Sequence, residues 1–203
     1  MKFSKITLLT VLIVTMCLLG QTVLGAYSVE EFGVENINPP EDYISCTKTQ
    51  CDEELETIIV QNGFSGLSDW VSRVMEPSNI YFYSSNKKDL TKCMYVICKN
   101  VKISKTNDGL VEHKLARDYN MCKDEGDKAT LLDTIRRAAG TDNVSWAPEI
   151  QKTPFIEYET TDGINNIHAY CTIYGGIEYT LQFSSAKKFT EEERDRDRIA
   201  VSA

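Results

Sequence analysis

Residues 155–183 read Phe155-Ile-Glu157-Tyr158-Glu159-Thr-Thr-Asp162-Gly163-Ile-Asn-Asn-Ile-His168-Ala-Tyr170-Cys171-Thr-Ile-Tyr174-Gly175-Gly176-Ile177-Glu-Tyr179-Thr-Leu181-Gln-Phe183. Asp162-Gly163 and Gly175-Gly176 can take the positive φ angles that tight hairpins require, and each lies between runs rich in aromatic and β-branched residues. The stretch therefore predicts a meander of three antiparallel strands. In its last run Ile177, Tyr179, Leu181 and Phe183 alternate with Glu178, Thr180 and Gln182, the period of a strand with one face buried. What covers that face decides the fold.

Working outward, the chain opens with Lys2 and Lys5 ahead of an apolar run from Ile6 to Leu19, closed by Val23-Leu24-Gly25. This is the pattern of a secretory signal peptide, residues 1–25, and the run is shorter than the ~20 residues of a spanning helix. Residues 26–203 are expected to form a single secreted domain, with an irregular acidic arm over 26–45. Loss of Lys2 and Lys5 makes the formal net charge of −8 two units more negative, a sign that repels nucleic acid and anionic membranes.

Six cysteines follow the leader: Cys46, Cys51, Cys93, Cys98, Cys122 and Cys171. In a secreted chain they are expected to form three disulfides. Cys93 and Cys98 fall in one apparent strand, about 16 Å apart when extended, so they must bond elsewhere. A metal site is not expected, because the cysteine spacings and the two histidines do not match a zinc pattern.

Helices are expected from Asp52 to Gln61, with Gly63 just past the end, at Ser68 to Met75, and after Phe189, where Thr190 and Glu193 make a capping box. The charge run of this last helix reads as a solvated face. Strands are expected at Ile80 to Tyr83, at Lys92 to Ile103, and at Leu110 to Tyr119 after the Asn107-Asp108-Gly109 turn. Ala129 to Ala139 has Leu132, Ile135 and Ala139 at helical spacing with Gly140 behind it, and a strand over Ala129 to Ile135 is the alternative. Asn143-Val144-Ser145 is an acceptor sequon for N-glycosylation.

No serine nucleophile elbow, paired His-Glu metal motif or glycine-rich phosphate loop is present, so no catalytic residues and no cofactor are expected. Glu157 and Glu159 share a strand face with Phe155: that face is either wet or lines a cavity that receives a cation. If the two meanders close on each other, the result is a mainly β protein with flanking helices, an antiparallel barrel or strongly curved sheet able to hold one small ligand. Tyr83, Tyr95, Tyr158, Tyr170, Tyr174 and Tyr179 suit either a cavity wall or a filled core.

The order of parts resembles the salivary lipocalins of ticks, the group that includes histamine-binding proteins. The matching features are the leader, Asp69-Trp70 ahead of Ile80-Tyr-Phe-Tyr83, a polar loop, Lys92-Cys93-Met-Tyr95-Val96, Ile156-Glu157-Tyr158, Tyr170-Cys171 and a helix after the final strand. The resemblance implies a monomeric, lipocalin-like eight-stranded barrel that sequesters a small hydrophobic or cationic mediator, a biogenic amine or a lipid. By position Trp70, Tyr95, Glu157 and Glu159 would bind the ligand. The helical signal at Ala129 to Ala139 departs from the family pattern. The alternative is a secreted, disulfide-braced α+β effector or inhibitor, as cystatin-like proteins resemble, that binds a protein partner.

Overall fold

In the computed structural model the described residues are 27–29, 34–100, 122, 124–147, 155–174 and 177–202. The leader, the strand expected at Leu110 to Tyr119 and the Gly175-Gly176 turn lie outside them. Strands β1 (Tyr27–Val29) and β2 (Val34–Ile37) form a small antiparallel pair. The main sheet has seven strands: β3 (Tyr43–Thr47), β4 (Ile80–Asn86), β5 (Cys93–Asn100), β6 (Val144–Trp146), β7 (Ile156–Thr161), β8 (Asn166–Tyr174) and β9 (Ile177–Ser185). Their order is β3-β4-β5-β9-β8-β7-β6, and every neighbouring pair is antiparallel. The meander quoted above is its β7-β8-β9 portion, and β9 docks on β5 to join it to the earlier hairpins.

This sheet is open, so the expected lipocalin-like barrel is corrected. Among the described residues β3 and β6 end the sheet and do not pair with each other. Each has its outward backbone groups engaged locally. On β3, Thr47 N–H donates to Gln50 O at 2.7 Å, Asp52 N–H to Ser45 O at 2.9 Å, and Ser45 N–H to Asp52 Oδ2 at 2.7 Å. On β6, which is only 3 residues long, the Arg136 guanidinium donates to Val144 O at 3.3 Å. Short, plugged edges are what keeps an open sheet from pairing further.

Two faces result from the register. One carries Phe82, Met94, Val96, Cys98, Tyr170 and Phe183 and is covered by Tyr27 and Ile37 from the β1–β2 arm and by Phe189. The opposite face is covered by helices in two places. Helix α1 (Glu53–Gln61) has Glu53, Glu54 and Glu56 in its first turn, where the dipole favours acids, and buries Leu55 and Ile59. Helix α2 (Leu67–Trp70) runs into a π-turn over Val71–Met75 and packs Trp70, Val71 and Met75 against Ile44, Cys46 and Ile80.

Helix α3 (Glu125–Ala139) covers the other half of that face, with Leu131 and Ile135 packed on Val144 and Ile156. The Ala129 to Ala139 stretch is thus helix. Asp124 accepts from Asp127 N–H at 2.9 Å at its start, and Gly140, at φ 65°, ends it in the left-handed region that glycine tolerates. It supplies no strand to close a barrel. The C-terminal helix α4 (Glu191–Ser202) begins with the capping box, Glu193 N–H donating to Thr190 Oγ1 at 3.2 Å and Thr190 N–H to Glu193 Oε2 at 2.9 Å.

No disulfide joins the described cysteines, which corrects the expected frame of three disulfides. Cys98 lies opposite Tyr179 and Cys171 opposite Thr180, so alternation sends their side chains to opposite faces of the sheet.

Candidate functional site

Alternation along β7 and β8 brings Glu157, Glu159, His168 and Tyr170 to one face: Glu157 lies opposite Tyr170, and Glu159 opposite His168. Helix α4 crosses this patch and presents Arg194 and Asp197, three residues apart and hence on one side of the helix. His168 Nε2 lies 2.7 Å from Glu157 Oε1, and Nδ1 lies 3.3 Å from Asp197 Oδ2. The Tyr170 hydroxyl donates to the same Glu157 oxygen at 3.2 Å. The imidazole is fully buried, with the rings of Tyr170, Phe189 and Phe183 at 4.9, 5.7 and 6.4 Å.

An ionised carboxylate only accepts, so a histidine between two of them donates from both nitrogens and is an imidazolium. Burial alone would lower the His168 pKa, but the bonds to Asp197 and Glu157 outweigh it and hold it above the ordinary histidine value. Asp197 is also held above the usual carboxylate range, because its burial outweighs the attraction of His168. Its Oδ1 accepts no hydrogen bond among the described residues and has Arg196 Nη2 at 3.8 Å. The proton of this triad is bound tightly by the group as a whole.

Beside the triad, Arg194 grips Glu159 through Nε and Nη2, the second bond at 3.3 Å, and Lys92 pairs with Glu193 at 2.5 Å. A cleft of about 270 Å3 opens here, lined by Asn143, Ser145, Glu157, Tyr158, Glu159 and Arg194. Its acids are already engaged by protein cations, Glu157 by His168 and Glu159 by Arg194. The charged patch ties α4 to the sheet.

The four residues expected to bind one ligand do not meet. Glu157 and Glu159 sit under α4, whereas Trp70 and Tyr95 lie on the opposite face, where Trp70 packs edge-on to Tyr83 at 5.0 Å and Tyr83 lies 5.4 Å from Tyr95. Burial pushes the Tyr83 and Tyr95 hydroxyls well up, as in a filled core. Split between two faces of one open sheet, the four share no pocket among the described residues, which corrects the expectation of a mediator-sequestering binder. Of the residues gathered here, the sequence points to Tyr170 only as a wall or core residue and does not single out His168, Arg194 or Asp197. The i, i+2 spacing of His168 and Tyr170 beside Glu157 and Glu159 was a usable signal, but the α4 charge run had been assigned wholly to solvent, and Asp197 is buried.

Both nitrogens of His168 are occupied and the ring is sealed from solvent, and no group of three or more His, Cys, Asp or Glu among the described residues could hold a metal ion. No described helix is long and apolar enough to cross a membrane.

The fold and site thus define an open antiparallel sheet dressed by helices on both faces and clamped by an internal ionic network. No family model and no curated protein matches the chain. Among solved structures it is distantly similar to the solution structure of cyanobacterial PsbP (CyanoP) from Synechocystis sp., at 15% identity and a TM-score of 0.40, covering 89% of this chain and 90% of that one. A likeness at that level carries no argument about fold or function.

Proposed function

We propose that this chain is a secreted, non-enzymatic, monomeric domain that binds a protein partner through the loop end of its sheet. The observation that carries the reading is Ile164, 82% exposed at the tip of the β7–β8 turn. That turn is tied down: Asp162 Oδ1 accepts from Ile164 N–H at 2.8 Å and from Asn165 N–H at 2.6 Å, and Thr161 Oγ1 donates to Asn165 O at 2.8 Å. An apolar side chain held out on a rigid turn loses little freedom on binding, which is how a preformed contact gains affinity.

Strand order places three loops side by side at this end: the β4–β5 loop with Leu90, 48% exposed, the exposed Lys187 and Lys188 after β9, and the β7–β8 turn. The acids here, Asp89 and Asp162, accept hydrogen bonds from their own turns. Apolar tips flanking a pair of lysines suit a protein surface with an apolar pocket rimmed by carboxylates. The leader pattern supports an extracytoplasmic location, and the exposed Asn143 supports N-glycosylation at its sequon.

A photo-crosslinking amino acid at position 164, with exposed Thr57 on α1 as control, tests this in fluid from the source tissue. One protein species should crosslink from 164 and not from 57, and Lys187→Glu with Lys188→Glu should cut its yield by about tenfold, equivalent to ~1.4 kcal/mol. Equal crosslinking from both positions, or none from 164, would overturn the proposal.

A further inference from the structure

Cys46 on β3 and Cys51, just before α1, are partners in an isolated antiparallel bridge. The bonds around them, Thr47 N–H to Gln50 O and Asp52 N–H to Ser45 O, make them the non-hydrogen-bonded kind of pair, whose Cα atoms lie about 4.5 Å apart and whose side chains approach most closely. That separation falls within the ~4.4–6.8 Å that a disulfide spans. Each thiol is the largest single influence on the acidity of the other. Cys46 is completely buried and Cys51 is partly exposed.

We infer that Cys46 and Cys51 form a redox-responsive pair, closed to a disulfide by exchange with a small-molecule disulfide such as oxidised glutathione. The partly exposed Cys51 sulfur, as thiolate, attacks one sulfur of the glutathione disulfide and releases one glutathione thiolate. Cys46 then gives up its proton and displaces the second glutathione from the Cys51 sulfur. Two protein thiols are oxidised to one disulfide, one glutathione disulfide is reduced to two thiols, and the two protons end on the two glutathiones. The roles follow from access and from the neighbouring sulfurs: Cys46 beside it holds the Cys51 thiol below its ordinary value against burial and the charges of Glu56 and Asp52, while Cys51 and burial push Cys46 up. The closed bond would staple the plug on the β3 edge, the same turn that occupies Thr47 N–H and Ser45 O.

Lys48 lies between the two cysteines, so trypsin separates them and a disulfide rejoins the pieces. The purified protein, equilibrated with oxidised glutathione, alkylated and digested without reductant, should lose two free thiols and yield the peptide ending at Lys48 joined to that beginning at Thr49. Cys46→Ser should accumulate a glutathione mixed disulfide on Cys51, and Cys51→Ser should leave Cys46 a thiol. Cys46 or Cys51 joined to a different cysteine, or both still fully alkylated, would overturn the inference; the wild-type digest decides this even if a variant fails to fold.

Discussion

Replacing His168 with leucine removes the cation that lies between the carboxylates of Glu157 and Asp197. Surface ion pairs contribute about 1 kcal/mol or less, but here the side chains are 0% exposed at His168, 12% at Glu157 and 1% at Asp197. Stranding a buried charge typically costs about 3–5 kcal/mol, a large share of the ~5–15 kcal/mol by which domains are stable. At ~2–4 °C per kcal/mol for a chain of this size, the melting point should fall by about 6–20 °C. The cost also has a defined pH dependence. Folding raises the His168 pKa, so its contribution is fully present below the unfolded value of about 6.5 and is lost as pH rises through the folded value. Asp197 is likewise raised, so it adds a loss of stability with rising pH above ~4. The wild-type advantage over His168→Leu should be greatest near pH 6 and shrink toward pH 10. Urea titrations across this range, with hydrogen exchange of the α4 amides, measure it. A cost under about 1 kcal/mol at pH 6, or an advantage that grows toward pH 10, would refute the clamp. So would a His168→Leu, Asp197→Leu double variant less stable than the single one, since that would place the loss in packing rather than charge.

Two further outcomes test the frame around the clamp. Trp70→Ala should cost about 3–5 kcal/mol in denaturant titrations, because Trp70 is core between the π-turn and Tyr83. Gly140→Ala should cost about 1 kcal/mol: nothing lies within 4 Å of an added Cβ, so the loss arises from the φ of 65° alone, and Gly140→Asn should lose less.

What the sequence made legible was local. Period-two runs around Asp162-Gly163 gave β7, β8 and β9, acids in a first turn gave α1, and Thr190 with Glu193 gave the start of α4, because each signal depends on residues within a few positions of one another. The partner of a face is a long-range matter. Alternation put Glu157 and Glu159 on one side of β7 but could not say that a helix some 35 positions later would bring Arg194 to Glu159. Asp197 was hidden for a related reason: in a run of Glu, Arg and Asp, nothing in composition marks the one acid that turns inward to His168.

Barrel closure is a property of edges, and neither edge of this sheet is written in its strands. A barrel requires the first and last strands to exchange a full ladder. Here β3 meets the Gln50 to Asp52 turn instead, and Asp52 is held twice, by Ser45 N–H at 2.7 Å and by the Tyr27 hydroxyl at 2.7 Å. Asp52, the residue at which α1 starts, therefore blocks one edge with its carboxylate and anchors the β1–β2 arm over the opposite face. At the other edge Arg136 of α3 takes the Val144 carbonyl. Each plug comes from a helix or its cap, so among the described residues the helices that clothe the sheet are also what keeps its edges apart.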